Sequence, residues 1–202
     1  MSLLICAPSE NRRSGHIYSN LLILFINMNI TLRCLLLAAA FALALPASAA
    51  STRDAMTYFF DANTGDLKAE LADAKASGKK AILLMYEQEG CPACLYMKQN
   101  VLNRSDIQDI YRKHFTSFTI DLFGAVPLKD FRGRDITEKA FADAAKVRAT
   151  PTFVFHDLNG TEITRIVGAV RDVGEFKLLA EFVASGAYKN RQFAEFKLAP
   201  KP

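Results

Sequence analysis

The sequence predicts an α/β fold with a mixed sheet of four to five strands and helices on both faces. Apolar runs typical of strands alternate along the chain with segments of helical periodicity. Strands separated by helices are expected to pair in parallel through crossover connections. Two later runs, "TFVFHD" and "EITRIVG", are joined by the short turn sequence "LNG", which predicts an antiparallel pair. Both kinds of pairing together give a mixed sheet.

The first half of the fold begins with a helix predicted over residues 63–77, which a glycine ends. The continuous apolar run 81–86 is typical of a strand buried on both faces. A helix over 92–102 follows. Ser105 and Gln108 then have the spacing of a capping box, which predicts the start of another short helix.

The second half is predicted to contain three strands and two helices. Residues 116–122 alternate in the manner of a strand, and 123–135 is an irregular stretch. The remaining elements follow in order: a helix capped by Thr137, a strand over 152–157, a strand over 162–168 and a long helix that Asp172 opens.

Four segments are predicted along the chain. Residues 28–50 have the form of a secretory signal peptide, because one cation (Arg33) precedes an apolar run, a proline and small residues suited to cleavage. Residues 1–27 fit no signal pattern and are interpreted as a non-native upstream extension; an uncleaved anchor is the alternative. The folded domain is predicted over 51–188 and a charged tail over 189–202. We therefore expect an exported protein.

Composition excludes one class of partner. The 202-residue chain has a formal charge of only +4, and no basic cluster with interleaved aromatic residues is present. Nucleic acid is therefore not an expected partner.

Removal of the signal peptide leaves one pair of thiols. Cys6 and Cys34 precede the predicted cleavage site, so the exported chain keeps only Cys91 and Cys94, in the motif "CPAC". Disulfides persist in the compartments that exported proteins reach. A pair two residues apart can be a redox couple, half of a zinc site or a structural bridge.

The zinc and bridge readings have little support. A structural zinc needs two further ligands, and only His114 and His156 remain, in separate segments. A bridge across so short a loop removes little entropy from the unfolded chain, so it would stabilise the folded state only slightly. No metal and no cofactor are therefore expected.

The two cysteines are predicted to differ in reactivity. Cys91 precedes a helix, with Pro92 suited to its first position, so free amides and the helix dipole favour a Cys91 thiolate. Cys94 lies one turn into the helix and shares a face with Met97 and Val101, so it is expected to be more buried. An exposed attacking thiol beside a shielded one suits thiol–disulfide exchange.

These residues together resemble a known family. A C-x-x-C motif after a buried strand, "ATPTFVF" further on, then "RIVGAV" and a final helix are similar to a thioredoxin. The resemblance implies the thioredoxin fold. It also implies that Cys91 attacks and Cys94 resolves. A cis Pro151 would hold extended substrate, Thr150 would offer backbone contacts, and Gly168 would leave room for the substrate backbone.

A narrower resemblance concerns the stretches "EQEGCPAC" and "DLFGAVPLKDFRGRDITEKAFADAAKVRATPTFVFHDLNG", which resemble SoxW-type thioredoxins. These are periplasmic proteins associated with bacterial sulfur oxidation. The resemblance implies a periplasmic location, a protein-disulfide or sulfur-carrier substrate, and a membrane thiol transporter as electron donor.

The sequence also departs from the thioredoxin pattern. Met85 stands where thioredoxins carry a buried aspartate. Glu87 and Glu89 precede Cys91, with no cation before Lys98, and nearby negative charge disfavours a thiolate. We therefore predict a thiol pKa of about 7 rather than about 3.5, and a reductase. The alternatives are a disulfide-forming oxidase and a non-catalytic module that binds thiols, metal or persulfide.

The irregular stretch 123–135 is a further candidate. It follows a strand expected to run parallel to the one that precedes the cysteines, so it should emerge at the same edge of the sheet. Pro127, Phe131, Arg132 and Arg134 are therefore hypothesised to shape a partner surface.

Overall fold

The computed structural model describes residues 51–198. The predicted upstream extension and signal peptide lie outside these residues. No helix within the described range is long and apolar enough to cross a membrane.

The elements alternate along the chain much as the sequence predicts. Two extra helices, one at each end, and a short hairpin add to the predicted set. In order they are α1 (Ala55–Tyr58), α2 (Leu67–Ala76), β1 (Ala81–Glu87), α3 (Pro92–Asn100), α4 (Ser105–His114), β2 (Phe115–Asp121), β3 (Pro127–Lys129), β4 (Asp135–Thr137), α5 (Glu138–Ala144), β5 (Thr152–His156), β6 (Glu162–Val167), α6 (Val173–Ala184), a 3₁₀ turn (Ala187–Lys189) and α7 (Phe193–Leu198).

The four long strands form one mixed sheet in the order β2-β1-β5-β6. β1 and β2 are parallel, whereas β5 is antiparallel to both β1 and β6. The predicted mixed sheet is therefore confirmed.

The expected parallel pairing is wrong for β5. The crossover rule applies to a single connection between strands. The chain between β2 and β5 instead forms the β3–β4 hairpin and then α5, and it enters β5 beside the end of β1. Tyr86, near the end of β1, pairs with Thr152, the first residue of β5. The residues that precede β5 consequently lie beside those that follow β1.

Both faces of the sheet are covered by helices, as predicted. Residues 81–86 of β1 are fully buried, and their side chains alternate between two apolar clusters. Leu83 and Met85 pack with residues of α3, α4 and α6, and Leu84 and Tyr86 pack with residues of α2 and α5. A strand buried on both faces requires the continuous apolar run seen in the sequence.

Two helix starts differ from the prediction. α2 begins at Leu67 rather than at residue 63, because the Asp66 carboxylate accepts a hydrogen bond from Ala69 N at 2.9 Å and caps the helix. The predicted capping box is absent, since no side chain caps α4. Gln108 is fully buried instead, and its amide donates to the carbonyl oxygens of Leu102 and Arg53 at 2.9 and 3.1 Å.

The C-terminal residues pack onto the domain. The rings of Phe193 and Phe196 in α7 lie 5.4 and 5.3 Å from the ring of Phe182 in α6, measured between centroids. The charged tail therefore contains two aromatic side chains that pack on α6, and this contact buries apolar surface beyond residue 188.

Candidate active site

Cys91 occupies the N-cap position of α3, directly after the turn that follows β1. Gly90 provides the backbone reversal with a φ of +69°, a value that favours glycine. The Cys91 Sγ accepts a hydrogen bond from the backbone N–H of Cys94 at 3.1 Å, and Pro92 occupies the first turn. The start of α3 therefore directs the Cys94 amide and the positive end of the helix dipole toward the Cys91 sulfur.

The two cysteines form a disulfide, with their Cα atoms 5.3 Å apart. Cys91 is partly exposed, whereas Cys94 is only 3% exposed and belongs to the apolar cluster that contains Met97. This difference in burial agrees with the asymmetry predicted from the sequence.

The start of β5 lies against the attacking sulfur. The Thr150 hydroxyl is 3.3 Å from the Cys91 Sγ and donates a hydrogen bond to it. The Thr150–Pro151 peptide bond is cis, as the resemblance implies, and Pro151 is buried. The resemblance implied backbone contacts from Thr150 to substrate, and the structure shows a side-chain contact with the Cys91 sulfur.

Gly168 completes this group from the end of β6. Its N–H donates to the Pro151 carbonyl oxygen at 2.7 Å, and its φ is +94°. A Cβ atom added there would meet no atom within 4 Å, so the space beside the glycine is open. The structure thus assembles all five predicted site residues, and their roles in substrate binding and exchange remain predictions.

The Glu87 carboxylate has a close cation that the sequence argument did not place beside it. The Lys98 Nζ lies 2.6 Å from the Glu87 Oε2, and the two side chains are only 23% and 19% exposed. An adjacent cation offsets the carboxylate that was expected to disfavour the Cys91 thiolate. The sequence argument noted Lys98 but not its pairing with Glu87, although Lys98 follows Cys94 by four residues and Cys91 by seven, on one helix face.

This ion pair borders the disulfide. A cavity of about 380 Å³ is lined by Cys91, Cys94, Glu87 and Lys98, together with neighbouring residues of the turn and of α3. In contrast, Glu89 is exposed and does not line this cavity.

Most of the hypothesised partner loop lies elsewhere. Phe131, Arg132 and Arg134 line a separate cavity of about 520 Å³, and the Phe131 ring is 4.7 Å from the ring of His156. His156 ends β5 and pairs with Ile82 near the start of β1, so this is the end of the sheet away from the cysteines. The hairpin carries these residues back along the sheet, which the irregular-loop interpretation did not anticipate.

The loop residues nearest the end of β2 lie at the same end of the sheet as the cysteines, as predicted from the sequence. Phe123 and Val126 are 64% and 62% exposed and follow Asp121, which pairs with Glu87. Pro127 begins β3 and is also exposed.

Neither histidine lies beside the cysteines in sequence or strand position. His156 is 6% exposed at the far end of β5, and burial lowers its pKa to about 4. His114 ends α4. Within residues 51–198, no group of three or more His, Cys, Asp or Glu side chains has an arrangement that would hold a metal ion.

A comparison with protein families identifies the domain. The model of the thioredoxin-like domain matches residues 67–184, more than half of the chain. The chain belongs to the thioredoxin-like family. No curated protein matches it in sequence.

Several solved structures are similar to this chain. A thioredoxin-fold protein from Helicobacter pylori is 19% identical, with a TM-score of 0.57, and the match covers 70% of this chain and 87% of that one. The thioredoxin of Thermus thermophilus is 25% identical (TM-score 0.46; 60% and 90% covered). The reduced C-terminal domain of DsbD from Neisseria meningitidis is 16% identical (TM-score 0.45; 58% and 93% covered). The family match and the Helicobacter structure confirm the predicted thioredoxin fold.

Proposed function

We propose that this protein is a periplasmic thiol–disulfide oxidoreductase that reduces disulfides in protein substrates. One observation carries the proposal: Cys91 and Cys94 are disulfide-bonded at a helix start, with the first sulfur partly exposed and the second buried. A merely structural bridge has no need for this asymmetry, whereas exchange through a mixed disulfide does.

The proposed reaction starts from the reduced protein. The Cys91 thiolate attacks one sulfur of the substrate disulfide, and the other substrate sulfur leaves as a thiolate that takes up a proton. Cys94 then loses its proton and attacks the Cys91 sulfur, which releases the second substrate thiol. The substrate gains two electrons, and the protein is left with the Cys91–Cys94 disulfide.

Residues near Cys91 suit this sequence of steps. The N–H of Cys94 and the hydroxyl of Thr150 both donate toward the Cys91 Sγ, so both favour its thiolate. The open space beside Gly168 and the exposed side chains of Leu95 and Val167 offer an extended substrate segment room and apolar contact.

We further propose the reductive direction and a role in sulfur oxidation. Both are supported by the resemblance of "EQEGCPAC" and the later stretch to SoxW-type thioredoxins. A sulfur-carrier protein is then the substrate, and a membrane thiol transporter is the electron donor.

Insulin reduction tests the activity. The wild-type protein is expected to reduce insulin disulfides with dithiothreitol as electron source, and Cys91→Ser should abolish turnover. Equal turnover by both proteins would refute the role of Cys91, and turnover by neither would favour a binding module. Cys94→Ser is expected to trap mixed disulfides, whose attached protein identifies the substrate.

The reduction potential tests the direction. Equilibration with glutathione should give a value well below that of the strong oxidant DsbA, which is about −120 mV. A potential near that value would make the protein an oxidase.

A further inference from the structure

A cavity at the far end of the sheet from the cysteines has features that the proposed exchange reaction does not use. This hairpin cavity, about 520 Å³ in volume, lies where the loop of the β3–β4 hairpin meets the turn between β5 and β6. Phe131 and Arg132 line it from the hairpin, and Asn159 and Thr161 line it from the turn. Its volume is within the range of sites that bind small molecules.

One buried polar side chain at the hairpin cavity lacks a hydrogen-bond partner. His156 lines the cavity and is only 6% exposed, yet its Nδ1 has no partner among residues 51–198. A buried polar atom loses its hydrogen bonds to water on folding, and nearly all such atoms regain one from another group. A molecule bound beside the ring would supply the missing partner.

The two loops that frame the cavity are held in place by aspartate side chains. The Asp130 carboxylate, which is 4% exposed, accepts hydrogen bonds from the backbone N–H groups of Arg132 and Arg134, both at 2.9 Å. The Asp157 carboxylate accepts two hydrogen bonds from N–H groups of its own turn, at 2.9 and 2.8 Å. The cavity is therefore formed before a ligand arrives, which lowers the entropy cost of binding.

One wall of the hairpin cavity is apolar. The Phe131 ring lies 5.8 Å from the Phe141 ring and 4.7 Å from the His156 ring, measured between centroids. Ala144 and Ala145 continue this wall at the end of α5. Aromatic rings pack favourably against one another in stacked or edge-to-face arrangements. The wall therefore favours a ligand with an aromatic body.

Among the described residues, the charges at the cavity leave Arg132 without an acidic partner. Asp130 pairs with Arg134, and Glu162 pairs with Arg165. Arg132 is exposed, lines the cavity and forms no ion pair within residues 51–198. A guanidinium group can bind a carboxylate through two parallel hydrogen bonds. The charge balance therefore favours an anionic ligand.

We propose that the hairpin cavity binds a small aromatic carboxylic acid. The carboxylate of the ligand pairs with Arg132, and its ring packs against Phe131 and Phe141. The neutral His156 ring carries one N–H group, which donates a hydrogen bond to a carboxylate oxygen. The cavity lies at the opposite end of the sheet from Cys91, so this inference does not rest on the proposed exchange reaction.

Titration of the oxidised protein with phenylpropionate, followed by NMR, tests the proposal. Signals of the His156 ring and of the Phe131 amide should shift and saturate at millimolar concentration, while the amide signals of Cys91 and Cys94 stay unchanged. Acetate lacks the ring and phenylpropionamide lacks the charge, so each should bind at least about tenfold more weakly.

Three variants assign the contacts. Arg132→Gln should weaken the binding of phenylpropionate by about tenfold, because it removes the cation that pairs with the carboxylate. Ala144→Leu should also weaken binding, since the larger side chain occupies part of the cavity. Arg148→Gln is the matched control: it removes an arginine that pairs with Asp143 and does not line the cavity, so the affinity should not change.

A peptide that ends in phenylalanine offers the same ring and carboxylate on a longer chain. It should bind no more tightly than phenylpropionate. Clearly tighter binding would assign the cavity to the C-terminus of a partner protein and overturn the assignment to a small acid.

Three other results would also overturn the inference. They are shifts that do not saturate, equal binding of phenylpropionate and its amide, and wild-type affinity in Arg132→Gln. Thermal unfolding of each variant shows whether the fold is kept. Because Arg132 is exposed, its replacement should leave the fold intact, so the test stands even if Ala144→Leu is unstable. No disulfide exchange is measured, so a failed insulin assay would reject the proposed function and leave this inference to be judged separately.

Discussion

Buried His156 should make the protein less stable in acid, and the magnitude can be worked from its surroundings. The side chain is 6% exposed, its Nδ1 has no hydrogen-bond partner among the described residues, and Phe131 covers its ring. Burial lowers the pKa from an ordinary 6.5 to about 4, although the carboxylates of Glu162 and Asp157 act in the opposite direction and Arg165 adds to the lowering.

The sign follows from where the protons bind. The unfolded chain protonates this histidine below pH 6.5, whereas the folded chain resists protonation until about pH 4. Between these values the unfolded state binds more protons, so the free energy of unfolding falls as the pH falls. A pKa difference of about 2.5 corresponds to about 3 kcal/mol in total, of which about 2 kcal/mol is lost between about pH 7 and pH 5.

Urea unfolding at neutral and acidic pH, compared between variants, isolates this contribution. His156→Leu removes the titrating group, so its stability should fall by about 2 kcal/mol less than that of the wild type over the same pH range. His114→Gln is the matched control, because His114 is only partly buried, and it should retain most of the wild-type pH dependence. Identical pH dependence in His156→Leu and the wild type would refute the reasoning, as would an NMR titration of His156 near pH 6.5.

Three further changes have defined outcomes. Thr150→Val removes the hydroxyl that donates to the Cys91 Sγ, so attack of the reduced Cys91 on dithiobis(nitrobenzoate), followed as the first release of thionitrobenzoate, should slow by roughly threefold to tenfold near neutral pH; an unchanged rate would show that the contact is irrelevant to the reduced protein. Gln108→Ala leaves two main-chain carbonyls without their donor and should cost about 2 kcal/mol in urea unfolding; a loss below about 0.5 kcal/mol would contradict this. Phe196→Ala removes a ring that packs on Phe182 and should lower stability by about 1–2 kcal/mol by the same measurement, whereas no loss would mean that the tail helix is energetically independent of the domain.

Local patterns in the sequence predicted much of the fold. The run 81–86 was predicted as a strand buried on both faces, and the helix start at residue 92 was read from Cys91 and Pro92. Helical spacing also contained the position of Lys98, four residues after Cys94. Its pairing with Glu87 was missed because it depends on the conformation of the turn between β1 and α3, which local sequence patterns do not predict.

The direction of β5 was not predictable from local patterns. It depends on the β3–β4 hairpin, whose strands of three residues each are too short to show an alternation. This direction decides the site, because only an antiparallel β5 begins beside the end of β1. A parallel β5 would place Thr150 at the opposite edge of the sheet from Cys91. The resemblance to thioredoxins implied that Pro151 faces the cysteines, as an antiparallel β5 requires. The reasoning from crossover connections implied a parallel β5.

The geometry around Cys91 bears on the direction of electron flow. The Cys94 N–H and the Thr150 hydroxyl each stabilise a Cys91 thiolate, which exists only in the reduced protein. Stabilising the reduced form raises the reduction potential and makes the disulfide the better oxidant. With Lys98 offsetting Glu87, that carboxylate opposes this tendency less than the sequence suggested. For the proposed reductase, other interactions must therefore favour the disulfide form by more than these contacts favour the Cys91 thiolate. The sign of the change in potential on Lys98→Met and Thr150→Val, expected to be negative for both, would show that these contacts set the potential.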